Sequence, residues 1–64
     1  MKYLVGDARY EKGVSLRCLA QRAQITRSYL QRIEAGEAKP SLEVMVRLAN
    51  ALGSPLEELY REEE

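Results

Sequence analysis

Only three residues separate two short helical segments near the middle of this 64-residue chain. The segments cover residues 16–23 and 27–35, and the residues between them are Gln24, Ile25 and Thr26. Two helices joined so closely meet at a steep angle, which is the arrangement of a helix-turn-helix. Ala20 lies where the helices would approach most closely, because a larger side chain there would push them apart. A general helical hairpin is the alternative, but it would need neither this small residue nor so short a turn.

Capping residues and stop signals divide the chain into five helices and predict an all-α fold. The expected helices cover residues 3–12, 16–23, 27–35, 42–52 and 55–60. Three hydroxyl residues can accept a backbone hydrogen bond at a helix N-terminus, and they are Ser15, Thr26 and Ser41. A capping box over residues 54–57 is expected to begin the fifth helix. No alternation of apolar and polar residues predicts a strand, and residues 61–64 are expected to form an acidic tail.

Apolar residues recur at helical spacing and predict one small core. The inward-facing residues are expected to be Val5, Ala8, Leu19, Ala20, Ala23, Ile25, Leu30, Ile33, Leu42, Met45, Leu48, Ala49 and Leu52. A chain of this length forms one domain, residues 1–64, and buries only about 60% of the surface that it exposes when unfolded. We therefore expect a compact five-helix bundle that is only marginally stable unless it pairs with a second copy.

The charges are distributed unevenly, although the formal net charge is zero. Residues 1–36 contain seven cations and three acids, a balance of +4, whereas residues 37–64 contain three cations and seven acids, a balance of −4. The stretch from Lys12 to Arg32 contains five cations and no acid. A mixed, solvated surface explains any single arginine, but an acid-free run over two adjacent helices favours a polyanionic partner such as nucleic acid.

The composition offers few groups for catalysis. The chain has no histidine, and its single cysteine, Cys18, excludes an internal disulfide and a cysteine–histidine zinc site. We expect no enzymatic activity, no cofactor, no metal and no small-molecule ligand. No apolar run approaches the ~20 residues of a membrane span, and the N-terminus lacks a signal-peptide core, so we expect a cytoplasmic protein.

Five short motifs occur in order between Leu4 and Tyr60. They are KGVS at 12–15, LA at 19–20, RIEAG at 32–36, PSL at 40–42 and LANALG at 48–53. Together they resemble the lambda-repressor-like, Cro-type helix-turn-helix family of bacterial and phage transcription regulators. The resemblance implies a five-helix bundle that binds duplex DNA, usually as a homodimer on a palindromic operator. It also implies an internal salt bridge between Arg9 and Glu34.

The chain departs from the pattern of this family at four positions. Gln24 stands at the turn position that is usually glycine, so it must adopt positive φ or alter the turn. Leu16 and Ala35 replace a glutamine and an asparagine that often contact the DNA backbone. Cys18 stands where a glutamate often completes the capping box of the second helix.

The third helix presents the residues that we expect to contact bases. At ~100° per residue, an inward side formed by Leu30 and Ile33 places Ser28 and Arg32 nearly opposite the core. In docked helix-turn-helix proteins, the N-terminal part of the second helix of the motif meets base edges in the major groove. The expected base contacts are Arg27, Ser28, Gln31 and Arg32.

Phosphate contacts are expected around the N-termini of the second and third helices, because backbone amides and cations there favour anions. The expected contacts are Ser15, Arg17, Arg22, Thr26, Tyr29 and Lys39, with Lys12 as a further candidate. Two of these have a purely structural alternative: Arg22 suits the helix dipole, and Tyr29 can serve in packing alone.

One small basic module binds DNA weakly, with Kd of only ~10⁻⁴–10⁻⁶ M for non-specific binding, so we expect a homodimer. The candidate dimer residues are Val44, Val46, Leu56, Leu59 and Tyr60. Core packing is the alternative for some of them, and Leu56 and Leu59 are the most ambiguous. Repression by occupancy of an operator is the simplest outcome. Two other classes stay open: an antitoxin that binds a toxin protein and autoregulates its operon, and a protein-interaction module that has lost DNA binding.

Overall fold

A computed structural model describes residues 1–63 of the chain. Four α-helices form most of it: α1 (Val5–Lys12), α2 (Leu16–Ala23), α3 (Arg27–Glu34) and α4 (Leu42–Leu52). Two short strands, β1 (Lys2–Tyr3) and β2 (Tyr60–Arg61), lie at the two ends, and a 3₁₀ turn (Leu56–Glu58) precedes β2. The second and fourth helices have the predicted bounds, while α1 begins two residues later than expected and α3 ends one residue earlier.

Hydroxyl caps begin three of the helices, as the sequence predicts. The N–H groups of Cys18, Tyr29 and Val44 donate to the side chains of Ser15, Thr26 and Ser41 at 3.0, 3.1 and 3.2 Å, respectively. Each bond satisfies one of the backbone donors that have no partner within the first helical turn. The boundaries of α2, α3 and α4 are therefore encoded locally.

The prediction of a fifth helix over residues 55–60 is wrong. Within residues 1–63 no side chain caps the 3₁₀ turn, and Pro55 precedes it in an extended conformation with ψ of 146°. The predicted capping box is therefore not formed. The chain then leaves the turn in an extended conformation, because Tyr60 and Arg61 pair with Tyr3 and Lys2 near the N-terminus.

The two strands form an antiparallel pair that we call the terminal sheet, residues 2–3 and 60–61. Lys2 lies opposite Arg61, and Tyr3 lies opposite Tyr60. The Leu4 N–H extends this pairing by donating to the carbonyl oxygen of Leu59 at 2.7 Å. The all-α prediction therefore holds for the helices but missed this sheet, and Arg61 belongs to a strand rather than to an acidic tail. Glu64 lies outside the described residues.

One core joins all four helices and the C-terminal segment. Its buried apolar residues are Val5, Leu19, Ala20, Ala23, Leu30, Ile33, Val44, Met45, Leu48, Ala49, Leu52 and Leu59. The most extensive helix contact is that of α2 with α4. Leu42, expected in this core, is instead 71% exposed. It precedes the fully buried Leu48 by six residues, which places it about 120° away around the helix.

The Arg9–Glu34 ion pair implied by the resemblance is present between α1 and α3. The Arg9 Nε and Nη2 groups donate to Glu34 Oε2 and Oε1 at 2.8 and 2.9 Å, and Nη1 donates to the Val14 carbonyl at 3.1 Å. The hydrogen bonds to Glu34 raise the pKa of Arg9, against the opposing effect of burial. Gly6 makes room for this pair, because a Cβ there would lie 3.3 Å from Glu34 Oε1.

Candidate nucleic-acid interface

The turn between α2 and α3 has the conformation that a glycine would ordinarily provide. Gln24 adopts φ of 60° and ψ of 42°, in the left-handed region. For a residue with a Cβ this conformation costs roughly 1–2 kcal/mol. The turn is closed by the Ile25 N–H, which donates to the carbonyl oxygen of Ala20 at 3.0 Å. Of the two options open at Gln24, the chain therefore adopts positive φ and keeps the turn short.

Small side chains allow α2 to approach its neighbours closely. Ala20 and Ala23 are both buried in the core, and Ile25 packs against the same core from the turn. A bulkier residue at either alanine would have to displace a neighbouring helix, because protein interiors are already close-packed. The packing of α2 therefore fixes how α3 is presented at the surface.

The outer side of α3 carries the four expected base contacts together. Leu30 and Ile33 have no exposed surface, whereas the exposed residues on the other side are Arg27, Ser28, Gln31 and Arg32. In the described part of the chain, neither arginine forms an ion pair with a carboxylate. A helix with its side chains is about 10–12 Å across, and the major groove is about 12 Å wide, so this side of α3 fits such a groove.

The expected phosphate contacts lie around this surface in two groups. Ser15 and Thr26 are exposed, and each accepts a capping bond while its hydroxyl hydrogen stays available to donate. The exposed cations are Lys12, Arg17, Arg22 and Lys39. Tyr29 is half-buried and packs against the core, so packing accounts for part of its side chain.

Two of the five candidate dimer residues belong to the core. Val44 is 8% exposed, which corrects the prediction for it, and Leu59 is fully buried, which decides between its two alternatives in favour of the core. Val46 is 40% exposed. Leu56 and Tyr60 are half-buried, and with the exposed Leu42 they line an apolar groove of about 320 Å³.

No group of three or more histidine, cysteine, aspartate or glutamate side chains able to hold a metal ion occurs among residues 1–63. None of the described helices is both long and apolar enough to span a bilayer.

The capped α2, the left-handed turn and the polar outer side of α3 define a helix-turn-helix domain. A helix-turn-helix family model matches residues 6–59. The chain belongs to the Cro/C1-type helix-turn-helix family, whose members are DNA-binding transcriptional regulators. This membership confirms the resemblance noted in the sequence, and it agrees with the expectation that the chain is not an enzyme.

Relatives with similar sequences are also regulators of this type. Two HTH-type transcriptional regulators from Mycobacterium tuberculosis, strains CDC 1551 / Oshkosh and H37Rv, are each 43% identical to this chain over 47 residues. The aligned stretch covers 73% of this chain but only 34% of each relative. The chain thus corresponds to about a third of the length of these relatives.

Solved structures show the same fold. The restriction-modification controller protein C.AhdI from Aeromonas hydrophila superposes with a TM-score of 0.83 at 34% identity, covering 88% of this chain and 85% of that one. The clp gene regulator ClgR from Corynebacterium glutamicum gives 0.82 at 31% identity, over 84% and 57% of the two chains. The N-terminal DNA-binding domain of SinR from Bacillus subtilis gives 0.79 at 32% identity, over 91% and 86%.

Proposed function

We propose that this chain is a cytoplasmic transcriptional repressor that acts as one domain, residues 1–64, and binds a specific sequence of duplex DNA through α3. One observation carries the proposal. Four polar side chains of α3 are exposed together: Ser28 and Arg32 lie nearly opposite the two fully buried residues of this helix, and Arg27 and Gln31 flank them. These four side chains are not needed for the core, and their chemistry matches that of base edges.

Each of the four side chains has a defined partner among the bases. Arg27 and Arg32 can each donate two hydrogen bonds to O6 and N7 of guanine, and Gln31 can bond in the same bidentate way to adenine. Ser28 accepts or donates and is therefore permissive. Phosphate contacts from Ser15, Thr26, Arg17, Arg22, Tyr29 and Lys39 fix the position of the domain on the duplex without reading the sequence.

Binding as a homodimer supplies the affinity that one small domain lacks. Two recognition helices in successive major grooves lie about 34 Å apart. The two-fold symmetry of the dimer makes the operator an inverted repeat. The domain measures 32 × 21 × 20 Å, so two copies in contact can span this distance. The remaining candidates for the dimer surface are Val46, Leu56 and Tyr60, and the exposed Leu42 beside them extends the same apolar surface. A small dimer of this kind represses by occupying the operator.

The test is salt-titrated binding to random duplex DNA, followed by sequencing of the retained molecules. We expect a palindromic consensus in the retained fraction and an affinity that falls steeply with salt. Retained molecules with no common sequence would contradict the proposal. Binding of a protein partner together with weak, salt-independent DNA binding would instead support a protein-interaction module.

Two arginine variants test which residues of the surface contact bases and which contact phosphates. Arg32→Ala is expected to cost about 1–3 kcal/mol on the operator and to relax the preference at one base pair. Arg17→Ala is expected to weaken binding to all sequences alike and to lower the salt slope by about 1. Arg61→Ala is the matched control, since Arg61 lies in the terminal sheet beside the acidic residues Asp7, Glu11, Glu57 and Glu58. Equal loss of discrimination in the first two variants would refute the assignment.

A further inference from the structure

A cleft of about 290 Å³ separates the terminal sheet from the loop that follows α3. Lys2 and Tyr3 line it on the side of the sheet, and Gly36 and Lys39 line it on the side of the loop. The acids at its margin are Glu34 and Glu63. Two lysines that are 37 residues apart in the sequence therefore line one small space next to the helix that carries the base contacts.

The acids of the cleft do not neutralise these lysines. Both carboxylate oxygens of Glu34 already accept hydrogen bonds from Arg9, at 2.8 and 2.9 Å. Glu63 is exposed, and among residues 1–63 it forms an ion pair with neither Lys2 nor Lys39. Lys2 and Lys39 therefore line the cleft without an ion pair to any carboxylate of residues 1–63, and the amino-terminal residue Met1 lines it beside them.

Lys2 is held at the cleft by the terminal sheet. Its partner across the sheet is Arg61, which lies beside acidic residues and outside the cleft. The sheet fixes the backbone of Lys2, because Tyr3 pairs with Tyr60 and the Leu4 N–H donates to Leu59. The exposed side chain of Lys2 is available to an anion in the cleft.

Lys39 is held on the other side of the cleft by the loop. Pro40, which follows it, is buried, and Ala38, which precedes it, is half-buried. The N–H groups of Gly36, Glu37 and Ala38 are already used, since they donate to the carbonyl oxygens of Ile33 and Arg32. The loop therefore has few free backbone donors, and the lysine side chains are the cationic side-chain donors that the loop and the sheet can offer to a ligand.

The location of the cleft indicates which anion it binds. Its lining includes Glu34 and Ala35 at the C-terminal end of α3, within one turn of Arg32. When α3 occupies a major groove, the phosphates that border the groove run past the ends of the helix. We propose that Lys2 and Lys39 together bind a phosphodiester group of the DNA backbone, which makes the terminal sheet part of the DNA-binding surface. This inference rests on the proposed function.

Salt-titrated binding of the full chain to one fixed duplex tests the cleft. The variants are Lys2→Gln, Lys39→Gln and the double variant, with Arg61→Gln as the matched control that removes a cation opposite Lys2 but outside the cleft. The removal of each lysine that contacts a phosphate should lower the magnitude of the slope of log K against log[salt] by about 0.9 per bound chain. Operator and unrelated duplex should lose affinity by the same factor, because phosphate contacts carry no sequence information.

The outcomes separate the cleft from the wider function. One contrary result is a steep wild-type salt slope that Lys2→Gln leaves unchanged, and another is a slope that Arg61→Gln lowers equally. Either result refutes the phosphate site in the cleft but leaves the proposed DNA binding intact. A wild-type chain with no salt-dependent binding overturns both. Thermal unfolding provides the control for folding: the melting temperature of Lys2→Gln should equal that of the wild type, because Lys2 is exposed and forms no ion pair with a carboxylate of residues 1–63.

Discussion

The unit formed by α2 and α3 and the terminal sheet are held in place in different ways. In α2–α3 the defining hydrogen bonds join near neighbours, such as Ser15 with Cys18 and Ala20 with Ile25. In the terminal sheet they join opposite ends of the chain, where Lys2 pairs with Arg61. The cations of both regions lie at the surface without carboxylate ion pairs among residues 1–63, whereas Arg9 of α1, which belongs to neither region, is engaged by Glu34.

This difference indicates that folding and ligand recognition use separate residues of α2–α3. The helices are stabilised by their caps and by an apolar side that faces α4, and the arginines contribute to neither. Surface substitutions away from caps and core usually change stability by no more than about 0.5 kcal/mol. The arginines are therefore available for DNA contacts, while the core and the terminal sheet stabilise the domain.

The largest effect is expected from truncating a buried side chain of α3 that belongs to the shared core. Leu30→Ala should lower the free energy of unfolding by about 2–5 kcal/mol, because it removes a fully buried side chain and leaves a cavity. Since a domain this small is only marginally stable, we expect most of its helical circular dichroism to be lost at 37 °C. Leu42→Ala is the matched control at a 71% exposed leucine and should cost no more than about 0.5 kcal/mol in dilute solution. Equal losses would show that the α4 N-terminus is buried, as in a stable dimer.

An intermediate effect is expected at the ion pair that joins α1 to α3. Arg9→Gln or Glu34→Gln should each cost about 1.5–3 kcal/mol, since each removes charge-assisted hydrogen bonds from a pair whose side chains are only 13% and 15% exposed. A double-mutant cycle measured by urea unfolding gives the coupling between the two residues. If this coupling is absent, the ion pair does not stabilise the contact between α1 and α3, which is then held by the apolar core.

The pH dependence of this coupling follows from Arg9. Because Glu34 raises the pKa of Arg9 above its unfolded value, the stabilisation from Arg9 is fully present below the ordinary arginine pKa and is lost only when the pH rises through the raised one. The coupling energy should therefore stay constant between about pH 6 and 9. A decline over this range would contradict the assignment.

The smallest effects are expected at two left-handed turn positions, and they should have opposite signs. Gly13→Ala should destabilise the domain by about 1 kcal/mol, because φ of 65° disfavours a Cβ although no other atom lies within 4 Å of it. Gln24→Gly should stabilise it by about 0.5 kcal/mol, since the relief of strain exceeds the added entropy of the unfolded chain. Thermal unfolding of both variants checks the signs. Destabilisation by Gln24→Gly would mean that the glutamine side chain contributes contacts that outweigh its strain.

Local signals in the sequence predict the central part of the fold. The caps Ser15, Thr26 and Ser41 and the glycines Gly13 and Gly53 define helix ends, because each acts on its own neighbours. The terminal sheet could not be predicted in this way. Strands of two residues have no alternating pattern, and their partners lie at opposite ends of the chain.

The candidate site was predicted in outline for the same reason. Helical periodicity places Ser28 and Arg32 nearly opposite Leu30 and Ile33, with Arg27 and Gln31 flanking them, and the structure exposes all four. Periodicity failed for Leu42 and Val44, because the depth of burial at the margins of a helix depends on the neighbouring elements. The Lys2–Lys39 cleft is formed by two such distant elements, and no local pattern indicates it.

The pairing of β1 with β2 also has a practical consequence for protein engineering. Since it brings residues 2 and 61 side by side, a short glycine linker could join the two ends without crossing the domain. A circular permutant opened in an exposed loop would then turn the weakly encoded terminal sheet into a hairpin. In such a molecule the pairing of the two strands would become a local event in folding.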